Sequence, residues 1–168
     1  AKAHDDILEG LRSGRIFVTT GDLISELWVT AASGGTEASI GGELAVRAGA
    51  DVTVTVRFKD PVGPNAHGDD PSVRRVDLIV GEVRGKLGDA SVDSNPSTRL
   101  LARFTRGEWR REGDHIMVSA TIPALAANMY VRVRGTNTDE LEPLADSRTE
   151  DPWTDLWFYS NPIFLVVR

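Results

Sequence analysis

Four polar side chains in one loop are the first candidates for chemistry in this sequence. Asn65, His67, Asp69 and Asp70 lie within Asp60–Ser72, a loop that also holds three prolines and two glycines. Oxygen ligands at alternate positions can wrap a calcium ion, and His with Asp can hold zinc. The spacing matches no defined calcium loop, and Asn and Asp are also ordinary turn formers. The loop is therefore a candidate metal site, with a plain turn as the alternative.

A second candidate is the acidic stretch Asn137–Asp155. Its carboxylates are Asp139, Glu140, Glu142, Asp146, Glu150, Asp151 and Asp155. Such a run could bind calcium or a basic partner, although a run of this kind is more often a solvated surface loop.

Aromatic side chains cluster near the end of the chain. Trp153, Trp157, Phe158 and Tyr159 could stack on a sugar ring or on a partner. Aromatic residues of a sandwich more often fill its core or cover an edge. Trp153, Trp157 and Tyr159 are therefore candidate binding residues, and carbohydrate binding stays open.

The sequence offers few residues that could form a catalytic site. Nucleophilic catalysis needs a Ser or Thr beside a His and an acid, but the only histidines are His4, His67 and His115. The sequence has no Gly-x-Ser-x-Gly, no His-x-His, no His-Glu-x-x-His and no glycine-rich phosphate loop. We expect no catalytic residue in this chain alone. The competing hypothesis is a hydrolase site at His67, Asp69 and Asp70.

The strands that would position these residues show as alternating apolar and polar side chains. In Arg75–Arg84, one face carries Val76, Leu78 and Val80. Asp77 and Ile79 share the opposite face, so we expect that face to be partly covered.

Further strands are predicted along the rest of the chain. They are Arg15–Thr20, Leu23–Ala32, Leu44–Arg47, Asp51–Lys59, Thr98–Arg106, His115–Ile122, Met129–Arg134, Trp157–Tyr159 and Ile163–Val167. The charged segment 107–113 is predicted as a connection. Turn signals recur every ten or so residues, and helices do not alternate with the strands. The pattern predicts an all-β fold, a two-layer antiparallel β-sandwich of immunoglobulin-like or related type.

One short helix is predicted near the start, from His4 to Ser13 at most. Its apolar side chains Ile7, Leu8 and Leu11 share a face, and Gly14 supplies a left-handed stop. We therefore divide the chain into a helix over residues 1–14 and a β-sandwich domain over residues 15–168. If the apolar face is exposed, it can drive dimerisation.

Composition sets the outer bounds. The 168 residues fit one domain with a real core, and a net charge of −6 argues against a nucleic-acid partner. There is no cysteine, which removes disulfides and thiol catalysis. No apolar run approaches the roughly 20 residues that a membrane helix needs.

Three segments resemble one protein family. Leu11–Ile24 resembles the segment that follows the catalytic barrel in proteins with a PHP-type metal-dependent phosphoesterase domain. There, a helix ending in Leu-x-x-Gly-Arg runs into a strand ending in Thr-Gly. Arg75–Gly81 is similar to a middle strand of the C-terminal β-domain of such proteins, and Tyr159–Phe164 resembles its closing strand.

The resemblance implies a non-catalytic accessory C-terminal domain of a phosphoester hydrolase. In that family, His and acidic ligands of the barrel hold divalent metals that activate water. The barrel would precede residue 1 in the same polypeptide and would be the partner of the sandwich. The helix over residues 1–14 would be its last helix. Because the metal ligands would belong to the barrel, no cofactor is assigned to this chain. A carbohydrate- or calcium-binding β-sandwich module is the alternative.

Overall fold

The structure, a computed structural model, describes residues 4–86, 91–92, 94–142, 153 and 155–168. Within these residues it has one α-helix, one short 3-10 turn over Arg106–Glu108 and twelve strands. They are α1 His4–Arg12, β1 Phe17–Thr19, β2 Glu26–Ser33, β3 Thr36–Ser39, β4 Glu43–Val46, β5 Val52–Lys59, β6 Arg75–Glu82, β7 Arg99–Thr105, β8 Arg110–Glu112, β9 His115–Ile122, β10 Met129–Thr136, β11 Trp157–Ser160 and β12 Ile163–Val167.

The first sheet is built around β10. On one side, β10 pairs along its whole length with β6, and β6 pairs with β7. On the other side, β11 covers the C-terminal half of β10 and β12 covers the N-terminal half. β1 pairs with β11, and β4 pairs with β12. The strands β11 and β12 therefore act as one long strand interrupted at Asn161 and Pro162.

The second sheet runs in the order β3-β2-β5-β9-β8, with every pair antiparallel. The central strand β5 shows how the core forms. Its side chains Val52, Val54, Val56 and Phe58 are fully buried between the sheets, while the residues between them are exposed or half-buried. This is the period of two that the sequence displays.

The predicted all-β, two-layer antiparallel sandwich with one short helix is confirmed. One strand pair departs from it, because β4 and β12 run parallel. The prediction of residues 107–113 as a plain connection is wrong, since β8 forms there, and β3 was also not predicted. Neither strand shows apolar alternation. β8 is the fully exposed sequence Arg-Arg-Glu, and β3 has no fully buried residue.

Strand β6 is buried on both of its faces. Seven consecutive residues, Arg75 to Gly81, are buried, so both faces of this strand are covered. The predicted covering of the face that holds Asp77 is confirmed. Within the described residues, no helix is both long and apolar enough to span a membrane.

Candidate functional site

The predicted metal loop is organised by its own asparagine. The side-chain oxygen of Asn65 accepts hydrogen bonds from the backbone N–H groups of His67 and Asp69, each at 3.0 Å. The Asn65 amide nitrogen donates to the carbonyl of Gly21 at 3.1 Å. The residue therefore serves as a turn former that ties the loop to the start of the sandwich.

One His–Asp pair remains for chemistry in this loop. His67 Nδ1 lies 2.7 Å from Asp69 Oδ2, and the imidazole stacks on Trp153 with ring centroids 5.1 Å apart. Asp70 is exposed. Across the part of the chain that the structure describes, no three His, Asp or Glu side chains converge as a metal site would require. Metal binding by this loop stays a prediction.

The predicted aromatic cluster is divided between two places. Trp157 stacks on Tyr159 with centroids 6.0 Å apart, whereas Trp153 lies against His67. Trp157 is only 3% exposed, and Phe158 is fully buried in the core. Trp157 therefore does not present a ring face on which a sugar could stack.

A buried carboxylate lies beside Trp157, on the outward side of the first sheet. Asp77 is 1% exposed and faces three arginines. Arg103 binds it through two hydrogen bonds, Nε to Oδ1 at 2.7 Å and Nη2 to Oδ2 at 3.0 Å. Arg134 Nε lies 3.3 Å and Arg75 Nε lies 3.5 Å from Oδ2. The strand order explains the cluster, because β6 lies between β7 and β10.

The electrostatics of this cluster favour the ionised carboxylate. Burial alone would raise the pKa of Asp77, but the hydrogen bonds from Arg103 and the positive charges of Arg75, Arg103 and Arg134 outweigh it, and the pKa is lowered. Arg75 and Arg134 also lie over the ring of Trp157, with Cζ at 5.7 and 5.5 Å from its centroid. Such contacts are typical of cation–π pairs.

The start of the acidic stretch closes over the arginines as a strap, Asp139–Glu142. Arg75 donates to the backbone carbonyls of Asp139, at 2.9 Å, and Glu140. Arg134 donates to the Leu141 carbonyl at 2.8 Å and pairs with the Glu142 carboxylate at 2.6 Å. Asp146, Glu150 and Asp151 lie outside the described residues. The geometry is that of a structural network, since each arginine has partners within the chain.

The outward side of β2, β5 and β9, here called the Trp28 face, carries a cluster that the sequence did not reveal. Trp28 is 42% exposed, and the guanidinium of Arg57 lies over its ring with Cζ 4.7 Å from the centroid. Arg57 Nη2 is 3.0 Å from Nδ1 of His115, whose ring contacts Trp28 edge-on at 5.4 Å.

Two carboxylates lie beside His115. Glu26 Oε2 lies 3.5 Å from His115 Nε2, and Asp114 Oδ1 lies 2.9 Å from His115 Nδ1. Lys59 pairs with Asp114 at 2.5 Å. Glu26 and Asp114 each approach His115, but the three side chains do not converge on a common point, and Lys59 already pairs with Asp114. The arrangement does not fit a metal ion.

Helix α1 is the third feature on the surface. None of its residues is buried, and its apolar side chains Ile7, Leu8 and Leu11 are all exposed. Its C-terminal end is anchored, because Gly14 adopts φ +68° and its carbonyl accepts a hydrogen bond from Asn161 Nδ2 at 3.1 Å. The helix therefore holds an apolar face outside the sandwich from a fixed point.

Comparison with known proteins adds no family to this picture. No protein-family model matches the chain, and no curated protein matches it either.

Proposed function

We propose that this chain is a non-catalytic accessory β-sandwich domain of a PHP-type phosphoesterase, and that it docks on its catalytic barrel through α1. The observation that carries the proposal is the unpartnered apolar face of Ile7, Leu8 and Leu11. Full burial of an exposed side chain of this kind is worth about 1.5–3 kcal/mol. Because these side chains are 38–56% exposed, a covering surface would gain part of that from each. A barrel that ends in this helix is such a surface.

The charged clusters of the described residues are satisfied within the chain. The Asp77 cluster and the strap satisfy one another, and the His115 cluster is balanced by cations. The divalent metals of the family would be held by barrel residues, and the residues described in this chain supply no set that fits them. Catalysis would therefore belong to the barrel.

The coding sequence upstream of residue 1 tests the hypothesis that this domain belongs to a longer phosphoesterase. The expected result is an in-frame barrel segment with His-x-His and further acidic ligands. A chain with that segment should hydrolyse p-nitrophenyl phosphate or a bis ester of it, whereas residues 1–168 alone should not. An initiation codon immediately before residue 1 would contradict the proposal.

Helix α1 gives a second prediction. In the isolated chain we expect the exposed face to produce a reversible dimer, and Leu11→Glu should weaken that dimer at least tenfold by placing a charge in the contact. Sedimentation velocity over a range of concentrations measures this. Val62→Glu is the matched control, because Val62 is an apolar residue that is 100% exposed and lies in the loop after β5.

The hypothesis of docking through α1 fails if the isolated chain is monomeric at every concentration tested and Leu11→Glu leaves the thermal unfolding of the longer chain unchanged. If both Leu11→Glu and Val62→Glu weaken the dimer equally, the contact lies elsewhere and the proposal for α1 is also contradicted.

The calcium-binding alternative receives little support from the described carboxylates of the acidic stretch. Two of them already have a cationic partner, since Glu142 pairs with Arg134 and Asp139 pairs with Arg74 at 3.2 Å. The carbohydrate-binding alternative draws on a different part of the molecule, the Trp28 face.

A further inference from the structure

We propose that the Trp28 face is a binding site for a neutral oligosaccharide, with one sugar ring stacked on Trp28. The proposal is independent of docking through α1.

The indole is the first element of the site. Its exposed fraction, 42%, leaves a large part of the side chain open to solvent, while Arg57 takes the space over the ring at 4.7 Å. An aromatic ring open on one side offers the flat apolar surface on which the C–H groups of a pyranose pack. Trp28 is the one tryptophan among the exposed large hydrophobic side chains of the described residues.

The second element is preorganisation. Arg57 lies between the rings of Trp28 and His115, and the nitrogens of His115 lie within 3.5 Å of Glu26 and Asp114. The ring of Trp28 therefore rests on a network that is already formed before a ligand arrives. Fixing a binding surface in advance lowers the entropy cost of binding.

The third element is a row of hydroxyl groups across the sheet, two residues further along β2 than Trp28. The strand register places Ser39, Thr30, Thr55 and Ser119 side by side across β3, β2, β5 and β9. Thr53 and Thr121 are opposite each other in the neighbouring row, two residues from the pair Thr55 and Ser119. Hydroxyls both donate and accept hydrogen bonds, so this row matches the hydroxyl groups of a sugar.

The charge of the face selects the class of ligand. The cations of the face are Arg57, Lys59 and Arg110, and its carboxylates are Glu26, Asp114, Glu112 and, on β3, Glu37. Lys59 pairs with Asp114, and Arg110 lies 3.9 Å from Glu112. Three cations against four carboxylates leave no excess of positive charge, so the face does not favour an acidic peptide or a phosphate. The exposed indole and the hydroxyl row then favour an uncharged ligand rich in hydroxyl groups.

The shape beside Trp28 agrees with an extended ligand. A groove of about 390 Å³ runs along β2 and is lined by Glu26, Trp28, Thr30, Ser39 and Phe17, among others. β3 pairs only with the second half of β2, so Glu26–Val29 has no strand partner on that side among the described residues. The groove offers room for sugar residues next to the one on Trp28.

The test is isothermal titration calorimetry of the full chain with cellohexaose, xylohexaose and mannohexaose. We expect at least one of them to bind, and Trp28→Ala to weaken that binding at least tenfold. Trp153→Ala is the matched control, because Trp153 lies in the aromatic cluster that the sequence singled out, and it should leave the affinity unchanged.

A second variant covers the case in which the loss of the indole disturbs the fold. Thr55→Lys keeps Trp28 and places a long charged side chain in the hydroxyl row, and it should also weaken binding. Circular dichroism establishes that each variant is folded.

Three results would overturn the proposal. The first is that none of the three hexaoses binds at millimolar concentration. The second is that Trp153→Ala abolishes binding while Trp28→Ala does not, which places the site at the other cluster. The third is that only an anionic oligogalacturonide binds, which contradicts the selection by charge.

Discussion

Replacing Asp77 with alanine is expected to lower the free energy of unfolding by about 3–5 kcal/mol. The carboxylate is 1% exposed and is the shared partner of Arg75, Arg103 and Arg134. Without it, the side chain of Arg75 stays buried with its positive charge uncompensated. Guanidinium chloride denaturation at neutral pH measures the loss.

The matched control is Asp139→Ala. Asp139 also pairs with an arginine, Arg74, but its side chain is 89% exposed, and exposed pairs contribute about 1 kcal/mol or less. A loss below about 1 kcal/mol for Asp77→Ala would show that solvent reaches the cluster, and that the strap Asp139–Glu142 does not seal it.

The pH dependence of this effect has a definite sign. The folded-state pKa of Asp77 is lowered, so the carboxylate contributes stability above its unfolded pKa of about 3.9 and loses it as pH falls through the folded value. The difference between wild type and Asp77→Asn should therefore be large at pH 7 and shrink steadily below about pH 4. Denaturation curves at pH 7, 4 and 2.5 measure it.

Asp60 provides the opposite case in the same fold. Burial raises the pKa of Asp60 more than the hydrogen bond from Val73 lowers it. A raised pKa means that the ionised form costs stability once pH exceeds the unfolded value. Asp60→Asn should therefore gain stability relative to wild type as pH rises from 3 to 7. If both variants show the same trend, overall charge rather than the local environments sets the pH response.

The alternation of apolar and polar side chains predicted most strands, but it could not predict which strands would be neighbours in the sheets. Arg75, Arg103 and Arg134 are on segments 28 and 31 residues apart, and each was predicted in a strand. They meet at Asp77 only because β6 is inserted between β7 and β10. Periodicity reports which face a side chain occupies and carries no information on strand order.

Trp28 illustrates a second limit. Its strand has apolar residues on both faces, Leu27 and Val29 on one and Trp28 on the other, so the period of two does not decide which face is inside. The structure buries Leu27 and Val29 and leaves Trp28 outside. The candidate binding residues Trp157 and Tyr159 do stack on each other, but Arg75 of β6 and Arg134 of β10 lie over the Trp157 ring.

The second large effect is expected at Gly41, where the chain leaves β3 for β4. Gly41 has φ +79°, and a side chain there would collide with the backbone of Ser13 and Gly14. Gly41→Ala is expected to cost about 2–4 kcal/mol, from the left-handed backbone and from the contact with an atom that cannot move aside. Thermal or chemical denaturation measures the loss.

Gly49→Ala separates these two causes. Gly49 has a similar φ of +77°, but nothing lies within 4 Å of the position that its Cβ would take. It should cost only the backbone term, about 1–2 kcal/mol. The excess at Gly41 is then the free energy of the close approach that fixes the end of α1 on the sandwich. An equal cost at the two glycines would mean that the turn after α1 moves away easily. The end of the helix would then depend on the hydrogen bonds of Asn161 to the Gly14 and Ile16 carbonyls rather than on close packing against Gly41.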